Sequence, residues 1–308
     1  MFTSEKLDIK DFLSTQDLNL KELLYILQLA KRFKNNELKV NLGNKILGLI
    51  FDKSSTRTRV SFQVAMARLG GNTLDLNPQT SQIGRGEPIK DTARVLSRYC
   101  DAIAIRTYKH SDLEDYARWS SKPVINALTD LEHPCQALAD YLTILEEFGS
   151  FEDLVLTFVG DGNNVANSLI LCASTLNVEI RIACPKGYEP CPQILKKAIR
   201  RYKDPSKLKI TNDPNIAVNG ASIIYTDVWA SMGEEDEKEQ KDKAFKGFTV
   251  NQDLVNKANQ NVIVLHCLPA YRDKEITEEV IDGKHSRIFD QAENRLHAQQ
   301  ALLSCLLS

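Results

Sequence analysis

No apolar run in the sequence approaches the ~20 residues that a membrane-crossing helix needs, so no transmembrane segment is expected. The amino-terminal stretch MFTSEKLDIKDF has neither an apolar signal core nor an arginine-rich transit pattern. Charge of one sign is not in excess. The net charge is −2 and there is no strongly basic stretch, which speaks against a nucleic acid or an anionic membrane as the main partner. A local basic pocket for a small anion stays open. No CxxC occurs. The seven cysteines, at positions 100, 135, 172, 184, 191, 267 and 305, are odd in number and scattered. That excludes a disulfide framework or a zinc site as the default and leaves reduced thiols in a reducing, cytoplasmic compartment. Repeats of fixed period and low-complexity segments are also missing.

What is present is an ordinary globular composition, 43% hydrophobic and 26% charged over 308 residues, enough for two domains. Leu20, Leu23, Leu24, Leu27 and Phe33 recur on one face of a predicted helix over 19–34. Short apolar runs that resemble buried parallel strands then alternate with amphipathic stretches. The runs in the first half are Ile46–Phe51, Thr73–Leu76, Ala102–Arg106 and Val124–Ala127. Those in the second are Leu154–Val159, Val178–Ala183, Leu208–Thr211, Ser222–Thr226 and Val262–His266. Helical patterns include Arg57–Leu69, Ile89–Tyr99, Pro134–Phe148, Asn164–Leu176 and Gln291–Leu307.

This alternation predicts an α/β fold of two doubly wound parallel-sheet domains joined by crossing helices. The first domain would span 1–148, with a terminal helix over 291–308 packing back on it, and the second 149–290. The run Glu234–Lys243 reads as a solvated loop or helix face, or alternatively as a mobile lid.

Ligands of open α/β sheets bind beyond the carboxyl ends of the strands, and the unusual residues cluster there. Ser55-Thr56-Arg57-Thr58 follows the first buried run and opens a helix. Hydroxyls, helix amides and a permanently charged guanidinium suit a phosphate, although an ordinary helix cap with solvent-facing arginines reads as well. Arg59 is assigned to structure or to a contact with another chain. The polar loop Ser81–Glu87 precedes a helix and could be simple connection. Arg106 ends a buried run, where a ligand contact and a salt bridge are both open. In His133-Pro134-Cys135-Gln136, Pro134 suits a first helical turn, placing His133 and Gln136 at a helix N-terminus.

In the second half, Gly160-Asp161-Gly162-Asn163-Asn164 is not a dinucleotide fingerprint, because Val165 stands where its third glycine would be. Asn163 and Asn164 can instead present amides to a zwitterion. Asp227, in Asp227-Val228-Trp229-Ala230-Ser231-Met232-Gly233, is either a helix cap or the partner of an ammonium group. Cys267, in His266-Cys267-Leu268-Pro269, is either a small buried hydrophobe or a thiol beside an amine. Arg295, in Glu293-Asn294-Arg295, reads on its own as a solvated helix residue.

These elements, in this order from Phe51 to Arg295, resemble the aspartate/ornithine carbamoyltransferase family, and the Asp227 and Cys267 motifs resemble its ornithine branch. The resemblance implies that Ser55, Thr56, Arg57, Thr58, Arg106, His133, Gln136, Cys267, Leu268 and Arg295 bind carbamoyl phosphate. It also implies that Gln82 comes from a neighbouring subunit of a homotrimer or a multiple of one.

By the same resemblance Asn164, Asp227, Ser231 and Met232 bind L-ornithine. Arg106, His133, Asp227, Cys267 and Arg295 carry catalysis, with no metal or organic cofactor. The expected reaction makes L-citrulline and phosphate, a step of arginine metabolism. Aspartate, putrescine or an N-acylornithine is the alternative acceptor. A non-catalytic, metabolite-binding relative should lack one of Arg57, Arg106, His133 or Cys267, and all four are present. Pro88, Cys135 and Tyr271 depart from the commoner family residues without removing a named group.

Overall fold

The computed structural model describes residues 7–53, 55–77, 86–230 and 235–308. They form two compact units, one of residues up to Leu142 together with Glu293–Ser308, the other Thr143–Ala292.

The first unit is built on four parallel strands, β1 (Ile46–Phe51), β2 (Asn72–Leu76), β3 (Ala102–Arg106) and β4 (Val124–Leu128), in the order β2-β1-β3-β4. Its helices are α1 (Leu20–Lys34), α2 (Arg57–Arg68), α3 (Ile89–Tyr99), α4 (His110–Trp119) and the start of α5 (Pro134–Phe148). The central strands are buried on both faces, as parallel sheets covered by helices require. The run read as a buried strand at 73–76 is instead the half-exposed edge strand β2, where Leu74 is 41% exposed. An edge strand has only one neighbour and needs no continuous apolar face. Asn19 starts α1 through a reciprocal capping box with Glu22, at 3.0 Å in both directions.

The second unit holds β5 (Val155–Val159), β6 (Glu179–Ala183), β7 (Leu208–Thr211), β8 (Ile223–Thr226) and β9 (Ile263–His266) in the order β7-β6-β5-β8-β9, again all parallel. Around it lie α6 (Asn164–Leu176), α7 (Pro192–Arg201), α8 (Pro214–Val218), α9 (Lys238–Ala244), α10 (Gln252–Val255), α11 (Glu278–Ile281) and the first turn of α12 (Ile288–Leu306). An aromatic cluster closes part of its core: Phe245 stacks on Trp229 at 5.5 Å and meets Tyr188 edge-on at 5.0 Å.

Each sheet has one point where the winding direction reverses. In the first unit β2 and β3 lie on opposite sides of β1, so the crevice opens at Phe51 and Arg106, which pair in register. In the second unit β6 and β8 flank β5, so the crevice opens after Val159 and Thr226. Open parallel sheets bind ligands at such reversals.

Candidate active site

In the first unit three segments reach the reversal point. Helix α2 follows β1 directly. Thr56 is its N-cap and Ser55 Oγ accepts a hydrogen bond from the Thr58 amide at 3.3 Å. The capping therefore falls to Ser55, and the exposed side chains of Thr56 and Arg57 stand at an amide-rich helix start. Arg59 pairs with Asp75 and lies over the Phe51 ring, a structural position.

Arg106 ends β3 with only 7% of its surface exposed. His133 precedes Pro134 at the head of α5, and its carbonyl accepts from the Ala137 amide, so the chain turns helical there.

The terminal helix α12 completes this group. Arg295, 3% exposed, donates from Nη1 to Gln136 Oε1 at 2.5 Å and from Nη2 to Thr58 Oγ1 at 2.9 Å. Gln136 Nε2 in turn donates to Asp140 Oδ1, one helical turn along α5, at 2.7 Å. These bonds fix the amide of Gln136 with its oxygen toward the arginine. Burial, and then the charges of Arg295 and Arg106, push the His133 pKa well below its ordinary value. His133 is therefore a neutral imidazole, a hydrogen-bond donor held among two buried cations.

One step back from His133, the buried Glu132 accepts from Ser14 Oγ at 2.5 Å and from both the amide and hydroxyl of Thr15 at 3.2 Å. Sequence reasoning gave Glu132 and Asp140 no role. The available signal was a carboxylate in an otherwise apolar stretch, Glu132 just before α5 and Asp140 within it.

The second unit gathers its polar groups at the β5/β8 crevice. Asn163 caps α6, accepting from the amides of Val165 and Ala166, while its Nδ2 donates to Asp227 Oδ2 at 2.8 Å. The neighbouring strands β8 and β9 pair Thr226 with His266, so the residues that follow them, Asp227 and Cys267, emerge side by side. Cys267 Sγ donates to Asp227 Oδ1 at 3.0 Å, and the Val228 amide donates to the same oxygen at 2.8 Å. The glycine at 162 is required by close approach, because a Cβ there would fall 2.3 Å from the Pro190 nitrogen.

Of the residues assigned from sequence, Asp227 and Cys267 come together. The amide on Asp227 belongs to Asn163, whereas Asn164, half-buried, occupies the first position of α6. Gln82, Ser231 and Met232 lie outside the described residues.

The loop after β9 is held by a network that sequence reasoning also missed. His266 Nδ1 accepts from the Leu268 amide at 2.9 Å, which places the ring proton on Nε2, 3.1 Å from Glu275 Oε1. Glu275 Oε1 also accepts from the Tyr271 amide at 2.7 Å, and the side chains of His266 and Glu275 are fully buried. This braces Leu268, which has φ +57, next to a cis Leu268–Pro269 bond. Among the described residues, Asp227, His266 and Cys267 place one possible metal-ligand atom each within 4.8 Å of one another. Both ring nitrogens of His266 and both oxygens of Asp227 already hold hydrogen bonds, so the trio reads as a hydrogen-bonded cluster.

The described part of the charged run, 236–243, also takes shape. The side chains of Asp236–Gln240 are exposed, but Lys241 on α9 is buried. The solvated reading fails at that residue because a carboxylate, Asp161, meets it inside.

Two parallel α/β units thus carry the candidate groups, one with buried guanidiniums and a neutral imidazole at a helix start, the other with a donor-fixed carboxylate. Residues 10–146 match the family described as aspartate/ornithine carbamoyltransferase, carbamoyl-P binding domain. Residues 152–306 match the Asp/Orn binding domain of the same family. The chain belongs to the aspartate/ornithine carbamoyltransferase family.

It is 70% identical to an ornithine carbamoyltransferase of Prochlorococcus marinus subsp. pastoris, over 100% of both chains. It is similar to the solved ornithine carbamoyltransferase from Pyrococcus furiosus, with TM-score 0.93 and 48% identity over 100% of this chain and 99% of that one. Similarity to the anabolic ornithine carbamoyltransferase from Campylobacter jejuni has TM-score 0.91 and 41% identity, over 97% of this chain and 99% of that one.

Proposed function

We propose that the chain transfers the carbamoyl group of carbamoyl phosphate to the δ-amine of L-ornithine, giving L-citrulline and phosphate. One observation carries the choice of acceptor: Cys267 and Asn163 both donate to the carboxylate of Asp227, which holds it at a strand end where an ammonium group can be received. An aspartate acceptor would bring a second carboxylate and would need a cation there instead. The names of the relatives support the same reading.

In this reading Ser55, Thr56, Arg57 and Thr58 take the phosphate at the start of α2, with the buried Arg106 and Arg295 on its oxygens. Gln136 and His133 orient the carbamoyl group. Asp227 and Cys267 orient the δ-amine and assist loss of its proton, with Asn163, Asn164, Ser231 and Met232 serving the rest of the amino acid.

The amine nitrogen attacks the carbamoyl carbon. A C–N bond forms, the negative charge that grows on the carbamoyl oxygen is met by Arg106, His133 and Arg295, and the C–O bond to phosphate breaks. A neutral His133 donates to that oxygen without first giving up a competing charge. Positioning and preorganised charge do the work, and Cys267 forms no acyl intermediate. Leu268 lines the carbamoyl end. The proposal extends to a cytoplasmic homotrimer in which Gln82 serves a neighbouring site.

The test is citrulline formation from carbamoyl phosphate with L-ornithine, run beside aspartate, putrescine and N-acetylornithine. Turnover confined to L-ornithine is expected. Turnover with aspartate alone would overturn the assignment of Asp227.

A further inference from the structure

Asp161 lies in the β5–α6 loop, two residues before Asn163, and its Oδ2 is 2.7 Å from Lys241 Nζ on α9. The lysine side chain is 4% exposed and the carboxylate 13%. Elsewhere in the described run Asp236–Lys243 the side chains face solvent, so Lys241 is turned inward against the pattern of its own segment. Phe245 on Trp229 and Lys274 on Asp242, at 2.5 Å, hold the same helix down. An ion pair withdrawn from water stabilises a fold no better than apolar packing of the same volume. Its place in the fold is therefore informative. The Asp161 carbonyl accepts from the Asn163 amide at 2.7 Å, and the Asn163 side chain donates to Asp227. Lys241, Asp161, Asn163 and Asp227 form one connected chain.

We propose that Lys241 is a positioning residue of the amine site, fixing the Asp161 loop so that Asn163 stays on Asp227, and cancelling the Asp161 charge so that Asp227 receives the incoming cation. This rests on the reading that the Asp227 cluster binds the diamino acid. Without Lys241, the Asp161 carboxylate competes with Asp227 for the same ammonium group. Without Asp161, the Lys241 ammonium repels it.

The experiment compares wild type, Lys241→Met, Asp161→Asn and the double variant. Steady-state constants are measured for both substrates, and urea unfolding for all four proteins. Each single variant should lose about 10–100-fold in kcat/KM for L-ornithine, the scale of stranding one partner of a buried charge pair. KM for carbamoyl phosphate should hold within about 2-fold, since the pair is built into the other substrate's unit, and the double variant should recover to within about 5-fold of wild type.

Single variants that match wild type, a double variant no better than the worse single, or an equal loss against both substrates would each overturn the proposal. Wild-type inactivity with L-ornithine would instead overturn the acceptor assignment. The unfolding cycle reads the pair without turnover, and additive single effects there would also reject the coupling.

Discussion

Arg295, in the terminal helix, donates to the hydroxyl of Thr58, 237 residues earlier in the chain, at 2.9 Å. The helix that ends the sequence thus supplies a cation to the group that the first strand-to-helix turn opens. Thr58 and Gln136 occupy one terminal nitrogen each, so the guanidinium plane is set from two sides.

Arg295→Lys keeps the charge and loses the two-nitrogen fork. It should lower kcat by about 100–1000-fold, the cost of one preorganised donor to a developing oxyanion, with a smaller change in the KM for carbamoyl phosphate. Steady-state kinetics check this; unchanged kcat would show that charge alone suffices.

Arg57→Ala removes an exposed cation from the start of α2 without disturbing the core. Citrulline formation should fall almost completely, while the unfolding free energy stays within about 0.5 kcal/mol of wild type, as for a surface substitution. Full turnover would reject Arg57 as a phosphate ligand.

The neutral state of His133 has a signature in stability. Its folded pKa is lowered, so between that value and the ordinary histidine value the unfolded chain binds a proton that the native chain does not. Stability attributable to His133 is complete above about pH 6.5 and falls as pH drops below it, by at most about 1.4 kcal/mol per pH unit. His133→Gln should remove that share of the acid slope in urea unfolding between pH 7 and pH 5. Identical slopes in the two proteins would place a charged imidazole in the native site.

Glu275 offers a test of the loop that carries Cys267. Glu275→Gln retains a carbonyl acceptor for His266 and for the Tyr271 amide and should cost about 1 kcal/mol. Glu275→Leu strands both donors and should cost about 2–4 kcal/mol, with a rise in the KM for L-ornithine. Equal stability of the two variants in urea would mean that the network does not brace the loop.

Much of the architecture could be read from pattern. The nine strands among the described residues were visible as short apolar runs, because a parallel strand covered on both faces has no polar alternation to disguise it. The edge strands β2 and β7 are both less buried than their runs suggest, with Leu74 41% and Ile210 40% exposed, since a run cannot show how many neighbours it will have. Arg57, Arg106, His133 and Asp227 stood out as candidates because each stands at a strand end or helix start. Glu275 was not, because a buried carboxylate among surface-type residues has no periodic signature until its partner, His266, is known. Asn163 and Asn164 were indistinguishable as neighbours. The cap geometry turns Asn163 toward Asp227.

The sequence by itself determined the alternation of strand and helix, and hence two parallel sheets with polar candidate residues beyond their carboxyl ends. Those are properties of local period and of residue type at a chain position. Which of those residues touch was decided only by tertiary structure. Strand register set Cys267 beside Asp227, and the return of α12 set Arg295 on Thr58. The inward turn of Lys241 joined a charged run to Asp161. Each is a contact between residues distant in the chain, fixed by how strands pair and helices pack, and neither composition nor spacing encodes it.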